Sequence, residues 1–116
     1  MIDASSWRQV ELHLLTGDAT DPTSRTLAMA VSESFDLVVI DLGGEPARSL
    51  GALWTWAELV AEGGIVVVED LWGAGDDDSS TLEALDRFLL AHREFGLCER
   101  GARHPLVKGV GLRRGC

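Results

Sequence analysis

An α/β fold on a mainly parallel sheet is what this sequence predicts, and three observations carry it. Two short apolar runs, Phe35 to Asp41 (FDLVVID) and Gly64 to Asp70 (GIVVVED), are rich in β-branched and aliphatic residues, and each stops at a carboxylate. Such runs read as strands buried on both faces of a parallel sheet. Stretches of helical period lie between and around them, giving the order β-α-β-α-β-α-β-β and three layers, with helices against both sheet faces. A last pair of short apolar runs around turn residues adds an antiparallel hairpin, and so one antiparallel strand at the edge.

Each element has its own signal. Val10, Leu12 and Leu14 alternate with Glu11 and His13 in strand period, and Thr16-Gly17-Asp18 ends the run. Asp21-Pro22 is a helix start, with Asp21 as N-cap and Pro22 in the first turn. That helix carries Leu27, Ala28 and Val31 on one face and closes near Ser34. After FDLVVID, Gly43-Gly44 breaks the chain and Glu45-Pro46 opens a second helix, its apolar side formed by Leu50, Leu53, Trp54, Ala57 and Val60. Glu62-Gly63-Gly64 ends it, glycine suiting a left-handed cap. Trp54 and Trp56 cannot share a helix face, so Trp54 is assigned to the core and Trp56 to an interface. Leu71 to Asp78 is a loop; Ser80 to Glu83 fits a capping box for a third helix that buries Leu82, Leu85, Phe88 and Leu89 and ends near Gly96. Strands at about 97–100 and 106–113, joined by Gly101 to Pro105, close the order.

The 116 residues make one domain, with enough chain to bury a core. A net charge of −9 argues against a nucleic-acid phosphate groove. No apolar run is long enough to span a bilayer, and the start of the chain has no basic-then-apolar leader pattern, so the expectation is a cytoplasmic protein with no membrane partner. Cys98 and Cys116 make neither a disulfide framework nor a zinc pattern, and both read as reduced and unreactive.

Ligands of parallel sheets bind beyond the carboxyl ends of the strands. If the two apolar strands are neighbours, about 5 Å apart, then Asp41, Glu69 and Asp70 crowd one rim. Crowded carboxylates repel one another, and a hard divalent cation or a cationic ligand would relieve that. The competing reading is three solvated strand-end acids, and Glu69 and Asp70 converge only if the strand ends there. Asp76, Asp77 and Asp78 lack calcium-loop spacing and read as a solvated run before a helix. His13, His92 and His104 are scattered and form no ligand set.

From Val10 onward the chain resembles the C-terminal part of a class I S-adenosylmethionine-dependent methyltransferase. LLTGDATDP is similar to that fold's third strand with its Gly-Asp-Ala turn, FDLVVID to the fourth, and AEGGIVVVEDLW to the entry into the fifth. VVEDLW is most similar to the metal-dependent sugar O-methyltransferases of macrolide biosynthesis and the cephalosporin-hydroxylase-like family. The resemblance implies a Rossmann-like fold, with Asp41, Glu69 and Asp70 as Mg²⁺ ligands and with Asp18 and Ala19 at the adenine of S-adenosylmethionine. A small-molecule hydroxyl, that of a sugar for instance, would be the acceptor.

Two departures from that pattern matter. The fold's first two strands, with the glycine-rich turn and the ribose-binding acid, have no counterpart, so the chain reads as a truncated domain. The strand at Val10 to Leu15 then lacks its family neighbour and invites self-association at an exposed sheet edge. The position of the family's general-base histidine is Gly44, and nearby Glu45 is a poor substitute. A non-catalytic remnant serving as a binding or oligomerisation module is therefore the alternative. FDLVVIDL and VVVEDL are also similar to the phosphoacceptor strand and acidic pair of receiver domains, but in reversed order, which would require a circular permutation.

Overall fold

The computed structural model describes residues 10–42, 46–69, 71, 79–96, 103–104 and 109–115. Three helices, α1 (Pro22–Met29), α2 (Pro46–Trp56) and α3 (Ser79–Ala91), accompany five strands. These are β1 (Phe35–Ile40), β2 (Val60–Val68), β3 (Phe95–Gly96), β4 (Arg103–His104) and β5 (Gly109–Arg114). The sheet order is β1-β2-β5-β3, with β4 also paired to β5. The expected parallel pair is present: Leu37 to Ile40 run in register with Ile65 to Val68. Every other pairing, β2–β5, β3–β5 and β4–β5, is antiparallel. The protein is thus α/β with a mixed sheet, and the mainly parallel expectation is corrected among the described residues.

One sheet face carries the core. Ile40, Val66, Val68, Val110 and Leu112 project from it into a cluster with Leu50 and Leu53 of α2 and Leu85 and Phe88 of α3. Fully burying a side chain of this size is worth about 1.5–3 kcal/mol. The alternate residues of β1 point to the other face, where Leu37 and Val39 remain 60% and 53% exposed. FDLVVI is therefore buried on one face only.

Several boundaries differ from expectation. Val10 to Thr16 is not a strand; Leu12 and Leu14 are 94% and 91% exposed. α1 begins as expected, Asp21 capping the Thr23 N–H, but stops at Met29 and buries Ala28 while Leu27 and Val31 stay exposed. α2 stops at Trp56, and a short 3₁₀ turn (Ala57–Leu59) leads directly into β2. Gly63 does adopt the positive φ of 80° expected of it, yet inside β2 and not at a helix end. There it absorbs a register shift: Phe35 faces Val60 while Leu37 faces Ile65.

The remaining corrections lie further along. β2 ends at Val68, two residues early. Ser80 sits inside α3, which ends at Ala91, and Leu82 faces solvent. Gly96 belongs to β3. Trp54 is the more exposed tryptophan, standing edge-on to Phe88 and His92, whereas Trp56 is half-buried against the core. Among the described residues no helix is long and apolar enough to cross a membrane.

Candidate functional site

The carboxyl ends of β1 and β2 form one rim. Ile40 is the register partner of Val68, and the Glu69 N–H donates to the Ile40 carbonyl at 2.9 Å. Asp41 and Glu69 therefore leave the sheet side by side, Asp41 exposed and Glu69 half-buried. Ile40 and Val68 are buried in the cluster under the helices, and the two acids follow them just beyond the strand ends. Asp70 lies outside the described residues, as do Gly43, Gly44, Glu45, Trp72, Asp76 to Asp78, Cys98 and Cys116. Among the described residues no group of three or more His, Cys, Asp and Glu side chains could hold a metal ion. The pair fits part of a Mg²⁺ site, since that ion commonly takes one or two carboxylates and keeps several waters.

Asp18 and Ala19 occupy a tight turn just before α1. Asp18 Oδ1 accepts from the Thr20 N–H at 2.9 Å, the Thr20 hydroxyl at 2.7 Å and Arg48 Nη2 at 3.2 Å. The Thr20 N–H, then its hydroxyl, then Arg48 hold the Asp18 carboxyl below its ordinary pKa. Asp18 thus closes its own turn, and all three bonds fall on one oxygen. The Ala19 carbonyl accepts from the Trp56 indole N–H at 2.7 Å. That bond, with the Arg48–Asp18 pair, fastens the turn to α2.

The turn and the rim meet. Ala19, Ile40, Asp41, Leu42 and Trp56 line a cleft of about 310 Å³ that also reaches Val38 and Val39. Its volume is at the lower end for small-ligand sites, and its lining is apolar with few polar groups, as such sites commonly are. Two residues assigned to separate roles by sequence, Ala19 and Asp41, thus border one space. Trp56 is the addition that sequence reading missed. Its only signal was a second tryptophan off the helix's core face, which reads equally as surface. A larger groove of about 490 Å³ lies at the end of α3, lined by Asp86, Leu89, Leu90, Arg93 and Phe95, with none of the rim residues on it.

Chemically, the cleft can hold a flat or apolar group against Trp56, beside the Asp41 carboxylate, which can accept hydrogen bonds or meet a cation. Among the described residues, His13 pairs with Glu11 and His92 stacks on Phe88, and neither lines the cleft. No protein-family model, curated protein or solved structure matches this chain.

Proposed function

We propose that the cleft at the carboxyl end of β1 is a small-molecule site of an S-adenosylmethionine-dependent O-methyltransferase-like domain. What supports the reading is one juxtaposition: Ala19, Asp41 and Trp56 on a single cleft at the end of a parallel strand pair. This is where such sheets bind ligands. Ala19 and Trp56 would border the cofactor's adenine. Asp41 and Glu69, joined by Asp70, would hold Mg²⁺. Bound there, the ion would supply Lewis acidity to an acceptor hydroxyl of a sugar or other small molecule. The protein's own part is to orient acceptor and cofactor at the rim. The sequence has no counterpart of the glycine-rich turn that lets backbone approach the cofactor's methionine end, so the chain alone should bind S-adenosylmethionine weakly.

Titration with S-adenosylmethionine, followed by NMR, tests the cleft. Weak, localised shifts are expected at the Ala19, Asp41 and Leu42 amides and the Trp56 indole. Silence at all four removes the assignment, and micromolar binding by calorimetry contradicts the weak affinity expected of this chain. Metal is read separately by thermal melts. At free Mg²⁺ of ~100 times its dissociation constant the gain is roughly 2.7 kcal/mol, several degrees for a chain this small. Asp41→Asn and Asp70→Asn should lose most of it and Asp77→Asn none. An equal response in all would mean general screening of a −9 chain. The alternative, a domain keeping the fold as a binding or oligomerisation module, draws support from the open face of β1.

A further inference from the structure

Among the described residues, twelve large hydrophobic side chains are exposed, and nine of them fall between Val10 and Val39. Exposed apolar surface gathered in one part of a chain marks an interaction site more often than scatter does. Two strand-ready features lie within it. The first is β1 itself, an end strand of the sheet order with an outward face bearing Leu37 and Val39. Natural edge strands are normally blunted by lysine, proline or a bulge. FDLVVI contains neither lysine nor proline, and its register with β2 is regular from Leu37 to Ile40. The second is the segment Val10 to Leu15, which alternates apolar and polar residues, lies in no strand and holds Leu12 and Leu14 almost wholly in solvent.

We propose that these two features are complementary halves of one contact, and that the occupant of each is a second copy of this chain. The segment Val10 to Leu15 of one copy adds as a strand to the free edge of β1 in the other. The reciprocal addition makes the assembly a closed two-fold dimer.

Three observations favour a second copy over an unrelated partner. Donor segment and acceptor edge sit on the same chain, and neither is satisfied within it among the described residues. Their patterns match: Val10, Leu12 and Leu14 recur at the period of two needed to continue the apolar face of Leu37 and Val39. The contact strip is poor in charge for a chain of net −9, with Glu11 and Asp36 its only acids and Glu11 already beside His13. Depletion of charge at the centre is what protein interfaces show. Two reciprocal six-residue additions cover on the order of 1,000 Å² in total, which reaches the size of a specific interface.

The test is sedimentation of the full chain and two charge variants, Leu14→Glu in the segment and Leu37→Lys on the edge. Leu14 is 91% and Leu37 60% exposed, so both variants should keep the wild-type far-UV dichroism, which is recorded as a control. Wild type at tens of micromolar should sediment as two copies of 12.5 kDa, and each variant alone as one copy. Mixing the variants should restore the dimer. The glutamate segment then meets the lysine edge in one contact, and the other contact is wild type. A wild-type monomer at millimolar concentration overturns the proposal. So do variants that stay dimeric, a mixture that stays monomeric, or an open-ended series of larger species. Val38 to Ile40 border both the edge and the cleft, so sedimentation is run without S-adenosylmethionine; a monomeric wild type overturns this proposal and leaves the cofactor reading to its own NMR titration.

Discussion

Asp18 shows how one side chain can be held by its turn before any ligand is considered. The Thr20 N–H, the Thr20 hydroxyl and Arg48 all favour its charged form, which is why its pKa lies below the ordinary 3.8. A carboxylate with a lowered folded-state pKa adds stability that is present above the unfolded value and lost as pH falls through the folded one. The loss should therefore set in below about pH 4. Asp18→Asn removes the titration while keeping an acceptor for the Thr20 N–H. Its urea midpoint should fall less steeply between pH 5 and pH 2 than that of wild type, an interval set by the ordinary carboxylate range of about 4. Equal slopes would show that the turn does not depend on the charge. At this scale the sequence was legible where the cause is local: Asp21 before Pro22 caps a helix as expected. It was silent on Trp56, whose partner is a carbonyl 37 positions away.

Among the described elements, β5 pairs with three other strands, β2, β3 and β4. A side chain at Gly109 would run into the Val68 carbonyl oxygen, with the Glu69 Cα and the Val68 carbonyl carbon close behind. The glycine thus lets β5 begin hard against the end of β2, beside the rim. Gly111, two residues on in the same strand, has open space around its missing Cβ. Gly109→Ala should cost about 1–3 kcal/mol and lower the melting temperature. Gly111→Ala should be neutral or add up to about 1 kcal/mol, because alanine loses less backbone entropy. Calorimetric melts of the two variants check this, and equal losses would mean that the close approach is not limiting. The existence of both long strands and all three helices was readable from period and turn residues. The ends of α2 and β2 were not: Glu62-Gly63-Gly64 signals a left-handed glycine, but a helix cap and a strand bulge use that conformation alike. Pairing with Phe35 to Leu37, which is not local, decides between them.

For the whole molecule, the sheet's order matters more than its inventory. The sequence order implied parallel neighbours throughout, with the antiparallel strand at the margin. Instead β5 lies between β2 and β3, and the order ends at β1 on one side and β3 on the other. The rim with Asp41 and Glu69 was legible because it needs only two adjacent strands. The cleft was not, since it also needs the path of residues 17–21 back to β1. The interior place of β5 has a consequence for how the protein is made. β2 is exposed along one edge until residues 109–114 arrive, and Val110 and Leu112 are part of the buried cluster. A chain emerging from the ribosome can form α1, α2 and the β1–β2 pair but cannot close its core until residue 114 has cleared the exit tunnel. Nascent chains stalled with residue 108 just outside should be cut rapidly by a protease, and chains released by a further linker should resist it. Resistance at the earlier stall would show a core that closes without β5. During synthesis the naked edge of β2 is a pairing template for neighbouring nascent chains, so slow translation over the last part of this domain should favour aggregation and not folding.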